Sequence, residues 1–175
     1  MNHLIDKVAK IKCVICDVDG VLTNGLNYID NHGNELKSFN VQDGVGLKLL
    51  IAAGIHVAVI TGSCNKVIDH RMEQLGIKLY FKGQINKQQA YQSLKNDLAL
   101  TDDMFAYIGD DVVDLPIMRQ VGFSIAVANA VSPIKSRADW VTTLPGGNGG
   151  VREACDYILE VQNKTDLAIN EYIHS

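Results

Sequence analysis

Ile11-Lys12-Cys13-Val14-Ile15-Cys16-Asp17-Val18-Asp19-Gly20 opens on an almost unbroken apolar run and ends in an acidic turn. Continuous hydrophobicity without polar alternation marks a strand covered on both faces, the habit of parallel sheets. The same grammar recurs along the chain. Residues 55–60 run into Thr61-Gly62-Ser63, residues 79–81 lead through Lys82–Asn86 to Lys87, and residues 104–108 run into Gly109-Asp110-Asp111. Further apolar runs at 123–127 and 140–142 complete a set of six expected strands. Helical patterns fall between them at 43–53, 65–75, 87–100 and 115–121, and Val151, Ala154, Cys155, Ile158 and Leu159 form the apolar stripe of a last helix. Strands alternating with helices predict an α/β protein, a Rossmann-like three-layer sandwich around a central parallel sheet.

One segment breaks the rhythm. Residues 21–40 hold two turn clusters, Thr23-Asn24-Gly25 and Asp30-Asn31-His32-Gly33-Asn34, around short apolar runs, the pattern of a β-hairpin flap after the first strand. The chain has 175 residues, room for about one ordinary domain. We expect that domain over residues 1–162, with a C-terminal tail at 163–175 and a flexible joint at Pro145–Gly150. No apolar run nears the roughly 20 residues of a membrane span, and the first ten residues lack signal-peptide character, so the expectation is cytoplasmic. A net charge of −4 with scattered basic residues leaves no footprint for nucleic acid or an acidic membrane, and points to a small-molecule partner. The four cysteines read as thiols, and Cys13-Val14-Ile15-Cys16 as core rather than a redox or zinc pair.

Ligands of open α/β sheets bind beyond the carboxyl ends of the strands. Asp17, Asp19, Asp110 and Asp111 would gather there, and like charges so close require a cation. Oxygen ligands without a matching His/Cys set favour Mg²⁺, which takes substrate phosphate as a further ligand. Thr61 offers a hydroxyl, and Gly62 and Ser63 offer backbone N–H groups at a helix start. Asn86 reads as the cap of a helix that carries Lys87 in its first turn. Singly, each has a plain alternative: Asp-x-Asp-Gly as a turn, Asp110-Asp111 as a helix cap, Lys87 as a solvated side chain. Jointly, they end successive strands at spacings of 44, 26 and 23 residues from Asp17 to Thr61 to Lys87 to Asp110.

Those residues resemble the four motifs of the haloacid dehalogenase superfamily of aspartate-nucleophile phosphatases: Asp17–Thr23, Thr61, Lys87 and Gly109–Asp114. The resemblance implies that Asp17 attacks phosphorus and that Asp19 serves as general acid and base. It implies Mg²⁺ held by Asp17, the Asp19 carbonyl and Asp110, with Asp111 and Asp114 in support, and phosphate held by Thr61, Gly62 and Lys87. Larger members insert a cap domain between motifs. The gaps here hold a hairpin, two helices and a strand, so no cap domain fits, and an adjacent subunit is expected to complete the pocket.

The similarity extends over residues 10–162 to a capless branch, the 3-deoxy-D-manno-octulosonate 8-phosphate (KDO 8-phosphate) phosphatases, which implies a homotetramer serving lipopolysaccharide biosynthesis. By that likeness Asn40, Val41, Gln42, Asp43, Gly44, Lys48, Ser63 and Arg71 contact substrate. Arg71 lies about 12 Å along a helix from Ser63, which suits an adjacent subunit's site. Gln42, Ser63 and Asn148 stand where the branch usually carries Arg, and Lys48 replaces another. A related sugar phosphate or nine-carbon keto-acid phosphate is therefore the alternative substrate, since a guanidinium fork is not reproduced by amides or hydroxyls. A phosphoacceptor receiver domain would place its acceptor Asp at the third strand, and the motif order disfavours it. A regulatory partner role is the remaining alternative class. Asp43 also fits as the cap of its own helix, His32, His56 and His70 lack ligand spacing, and Trp140 and Tyr172 read as packing residues.

Overall fold

In a computed structural model, which describes residues 2–174, six parallel strands form the sheet, in the order β5-β4-β1-β6-β7-β8. They are β1 (Cys13–Cys16), β4 (His56–Ile60), β5 (Leu79–Phe81), β6 (Phe105–Gly109), β7 (Phe123–Ala126) and β8 (Trp140–Val141). Every residue of β1, β6 and β7 is buried, as unbroken apolar runs demand. From β1 the chain winds outward through β4 to β5, and from β6 in the opposite direction through β7 to β8. The winding thus reverses between β1 and β6, where an open sheet leaves a crevice at its carboxyl edge. Register aims the site there: Cys16 pairs with Val59 on one side and Ile108 on the other, so Asp17, Thr61 and Asp110 follow almost in line.

Helices α1 (Asn2–Ala9), α2 (Val41–Ala52), α3 (Lys66–Leu75), α4 (Lys87–Leu98), α5 (Leu115–Met118), α6 (Ser132–Lys135), α7 (Gly150–Val161) and α8 (Thr165–Ile173) complete the chain. The expected hairpin is present as β2 (Tyr28–Ile29) and β3 (Glu35–Leu36), paired antiparallel and exposed. Cys13 and Cys16 are buried, the core reading of that pair, and all four cysteines are free. Trp140 packs between Phe123 and Tyr157, with ring centroids 6.4 and 4.8 Å away. His32, His56 and His70 are exposed. None of the described helices is long and apolar enough to cross a membrane.

Boundaries moved for identifiable reasons. The helix expected from residue 43 begins at Val41, because Asn40 is its N-cap and accepts the N–H groups of Gln42 and Asp43 at 2.7 and 3.3 Å. Asp43 is therefore not the cap of its own helix. The helix expected to reach residue 100 ends at Leu98, where Ala99 turns left-handed at φ 51°. Helices α1 and α6 were not foreseen. Within the segment read as a tail, α8 packs on α2 with Ala168 buried; Met1 and Ser175, the outer ends of the expected domain and tail, lie outside the described residues.

Candidate active site

The loop after β1 folds back on itself. The Val18 carbonyl accepts the N–H groups of Val21, Leu22 and Thr23, and Gly20 sits at φ +88° with its N–H on the Thr23 hydroxyl. That turn leaves the Asp17 carboxylate at the sheet edge, anchored by the Val18 N–H at 2.7 Å. Lys87 arrives from the start of α4, whose cap Asn86 accepts the Gln88 N–H. Its ammonium is buried, 2.8 Å from Asp17 Oδ1, 2.8 Å from Asp114 Oδ1 and 3.2 Å from the Tyr107 hydroxyl. Tyr107 in turn donates to Asp114 Oδ1 at 2.7 Å, while Asp114 Oδ2 accepts the N–H groups of Asp110 and Asp111 at 3.0 and 3.3 Å. Asp114 is wholly buried and engaged through both oxygens, so it fixes Lys87 and the loop after β6 together.

Asp17, Asp110 and Asp114 bring carboxylate oxygens within 4.8 Å of one another. Three carboxylates face a single ammonium, which leaves negative charge in excess. Burial, then the charge of Asp114, pushes the Asp17 carboxyl up to about 6. Burial, then the charges of Asp17 and Asp114, pushes Asp110 up to about 7. A cluster that resists ionising until a cation arrives, built of oxygen ligands alone, fits a hard divalent ion such as Mg²⁺. Asp110 packs so tightly on Gly20 that a Cβ there would stand 2.0 Å from its Oδ2. Asp111, by contrast, is exposed and caps the short turn 112–114 through the Val112 N–H at 2.6 Å. The two readings of Asp110-Asp111 thus divide between the two residues.

Beside this cluster a cleft of about 340 Å³ is lined by Asp17, Asp19, Thr61, Gly62, Ser63 and Lys87. Thr61 is buried and its Oγ1 accepts the Ser63 N–H at 3.1 Å. Gly62 and Ser63 do not open a helix as expected: α3 starts at Lys66, capped by Asn65, because the Asn65 side chain accepts the Val67 N–H. Gln84, Ile85 and Val113 also line the cleft and were missed in the sequence, where nothing but proximity to Lys87 and Asp114 marks them. So was Lys37, whose Nζ lies 2.5 Å from Asp19 Oδ1.

Of the residues expected to touch substrate, Ser63 alone lines this cleft. Asn40 caps α2, and Val41 is 75% exposed. Gln42 borders a separate hollow with Trp140, Arg152 and Tyr157, and Lys48 another with Leu75, Glu171 and Tyr172. Asp43 is buried and accepts the main-chain N–H groups of Arg152 and Gly149. Arg71 stacks on Phe39, 5.7 Å from its ring centre, and donates to the Asn40 carbonyl at 3.2 Å; a Cβ on Gly44 would collide with its guanidinium. A helix advances about 5.4 Å per turn, so α2 and α3 carry Lys48 and Arg71 away from the edge where the two helices start.

The glycine run after β8, expected to be a flexible joint, is held against the loop of Asp17. Asn129 bridges them, donating to the Gly20 carbonyl at 3.0 Å and accepting the Gly146 N–H at 2.6 Å. The Gly147 N–H reaches the Val21 carbonyl at 2.8 Å. A Cβ on Gly146 would stand 1.9 Å from the Gly20 oxygen, so only glycine permits the approach.

Comparison with known proteins agrees with this geometry. The family model for haloacid dehalogenase-like hydrolases matches residues 80–155. The 3-deoxy-D-manno-octulosonate 8-phosphate phosphatase of Salmonella typhi is 45% identical over 172 residues, 98% of this chain and 92% of that protein. A Legionella pneumophila structure assigned to haloacid dehalogenase subfamily III A superposes with a TM-score of 0.99 at 63% identity, over 100% of this chain and 96% of that one. The Moraxella catarrhalis 3-deoxy-D-manno-octulosonate 8-phosphate phosphatase, solved with magnesium, phosphate and KDO, superposes at 0.93 with 41% identity, over 98% and 99% of the two chains.

Proposed function

The chain belongs to the haloacid dehalogenase-like hydrolases, and from that premise we propose that it hydrolyses KDO 8-phosphate to KDO and phosphate in lipopolysaccharide biosynthesis. The observation that carries the reading is the buried Lys87 ammonium held between Asp17 and Asp114, with Asp110 alongside, at the point where the sheet reverses its winding.

Each residue's part follows from its surroundings. The Asp17 carboxylate attacks phosphorus as the bond to the ester oxygen breaks, dividing one difficult displacement into two steps through an aspartyl phosphate. Approach of a carboxylate to a phosphate dianion is repulsive, and Lys87, its charge kept within the cleft by Asp114 and Tyr107, offsets that repulsion. Asp19, half-exposed at the mouth, gives a proton to the departing ester oxygen and takes one back from the water that cleaves the aspartyl phosphate. Thr61 and Gly62 hold phosphoryl oxygens from the opposite wall. Asp17, Asp110 and the Asp19 carbonyl would hold Mg²⁺, with Asp111 and Asp114 in support, and the bound ion would supply neutralisation of phosphoryl charge.

The part of the substrate beyond the phosphate falls to a neighbouring subunit in a homotetramer. Two features support this: the cleft measures about 340 Å³, and Lys48 and Arg71 lie outside it on the same chain. Four free thiols suit the reducing cytoplasm, where we place the protein. A redirected specificity, toward another sugar or nine-carbon keto-acid phosphate, is favoured by one observation: among the described residues no arginine lines the cleft, where Ser63 occupies the phosphate loop. The deciding experiment is Mg²⁺-dependent phosphate release from KDO 8-phosphate and a panel of sugar and keto-acid phosphates. Wild type should exceed Asp17→Asn by orders of magnitude, with kcat/KM highest for KDO 8-phosphate. Equal release by both proteins across the panel would overturn the reading.

A further inference from the structure

Lys37 is a cation that none of the four motifs contains. It follows β3 on the hairpin, where Leu36 is 63% exposed, yet its own side chain is only 3% exposed. From there its Nζ bonds Oδ1 of the cleft residue Asp19 across 18 residues of sequence. Among the described residues it is the side-chain partner of Asp19, whose side chain is otherwise 42% exposed. A second tether holds the same hairpin: Glu35 Oε2 accepts from Asn65 Nδ2 at 2.8 Å, and Asn65 caps the helix that follows the Thr61 loop. The flap is thus tied once to the proton-transfer residue and once to the cap of α3.

We propose that Lys37 is a positioning residue for proton transfer by Asp19. The inference rests on the phosphatase reading. By occupying Oδ1, the ammonium fixes the carboxyl rotamer and leaves Oδ2 as the oxygen that carries the proton. In the first step the bond from Asp17 to phosphorus forms, the ester P–O bond breaks, and the proton on Asp19 Oδ2 passes to the ester oxygen, releasing the alcohol. In the second, water oxygen bonds phosphorus, the Asp17–phosphorus bond breaks, and one water proton returns to Oδ2. Both transfers need the same oxygen in the same place, and a half-exposed aspartate without a tether rotates among staggered positions.

Leaving-group dependence tests this directly. An alkyl ester such as KDO 8-phosphate needs its departing oxygen protonated, whereas 4-nitrophenolate leaves without a proton. Lys37→Met should lower kcat/KM for KDO 8-phosphate by about 10²-fold, and for 4-nitrophenyl phosphate by no more than about threefold, the loss typical of a displaced catalytic group. Lys37→Arg should recover most of it. Glu35→Ala, which cuts the other tether, should leave the ratio between the two substrates unchanged. Equal losses on both substrates in Lys37→Met would mean that the lysine merely holds the flap. A raised KM with intact kcat on KDO 8-phosphate would make it a substrate ligand. Either result overturns the proposal. Wild type inactive on every alkyl and aryl phosphate would instead overturn the phosphatase reading, and this inference with it.

Discussion

Asp43 and Arg152, 109 residues apart, are joined through the main chain: Asp43 Oδ1 accepts the Arg152 N–H at 2.7 Å, and Oδ2 accepts that of Gly149 at 3.3 Å. A carboxylate in the first turn of α2 therefore caps α7, whose own N-cap residue Gly149 offers no side chain. Asp43→Ala should cost about 1–2 kcal/mol, the upper range for a lost cap, because the freed N–H groups stay buried. Asp43→Asn keeps an acceptor oxygen and should cost less. Urea unfolding of the two variants measures the difference.

Asp114 satisfies four donors, from Lys87, Tyr107, Asp110 and Asp111, with its two oxygens. Removing it leaves the buried ammonium with Asp17 as its remaining carboxylate contact and two amides unpaired. Asp114→Ala should lose about 3–5 kcal/mol of stability, the cost typical of breaking a buried ion pair, and most of the phosphatase activity. Asp114→Asn, similar in shape, should retain the fold while turnover falls. Thermal melts and phosphate release on the same preparations separate the two effects.

Stability of the metal-free protein should depend on pH with a definite sign. The folded chain raises the carboxyls of Asp17 to about 6 and Asp110 to about 7, chiefly by burial and then by neighbouring carboxylates. Folding therefore favours their protonated forms. That contribution is complete below the ordinary carboxyl range, about pH 4, and is lost as pH rises through 6 to 7. The metal-free Tm should fall between about pH 4 and about pH 7, and Asp110→Asn should flatten the fall. Mg²⁺ should raise Tm most at the alkaline end, and its binding near pH 6.5 should release protons, seen by calorimetry in buffers of different ionisation heat.

Gly146→Ala should injure the site from a distance. The new methyl would meet the Gly20 carbonyl, and Gly20 is the surface on which the Asp110 carboxylate rests. Overpacking of backbone against backbone costs about 1–3 kcal/mol. The displaced loop should also weaken Mg²⁺ binding, read from the concentration that restores half-maximal phosphate release. Unchanged metal affinity alongside lowered stability would separate the glycine contact from the site.

A homotetramer with shared sites predicts complementation. Arg71→Ala and Asp17→Asn subunits, each inactive on KDO 8-phosphate when alone, should regain activity after unfolding and refolding together, because some sites would draw Asp17 from one chain and Arg71 from its neighbour. Light scattering of wild type should give the tetramer mass. A fully active monomer would remove the expectation.

Most of the catalytic edge was legible in the sequence. Cys13–Cys16 is apolar at every position and Asp17 follows at once, so strand and carboxylate are encoded within five residues; Lys87 beside its cap Asn86 is likewise local information. The short helix α6 was obscured because Ser132–Lys135 contains one turn with Pro at its start, too little for a period to show. Asp43 fits as its own helix cap in the sequence because two cap-forming residues, Asn40 and Asp43, stand within one turn, and sequence spacing does not say which the backbone uses.

The order of residues along the chain encodes the alternation of strands and helices, the parallel sheet, and the carboxylates, hydroxyl and lysine at its carboxyl edge. Each is written in neighbouring residues through hydrophobic period and turn chemistry. Packing in three dimensions sets the rest: Asp114 rather than Asp111 joins Asp17 and Asp110, Asp43 caps α7, Lys37 folds over onto Asp19, and Gly146 presses on Gly20. These pairings depend on which surfaces meet when helices pack and a flap closes, and contacts between residues up to 126 apart, as between Gly20 and Gly146, leave no periodic trace in the chain.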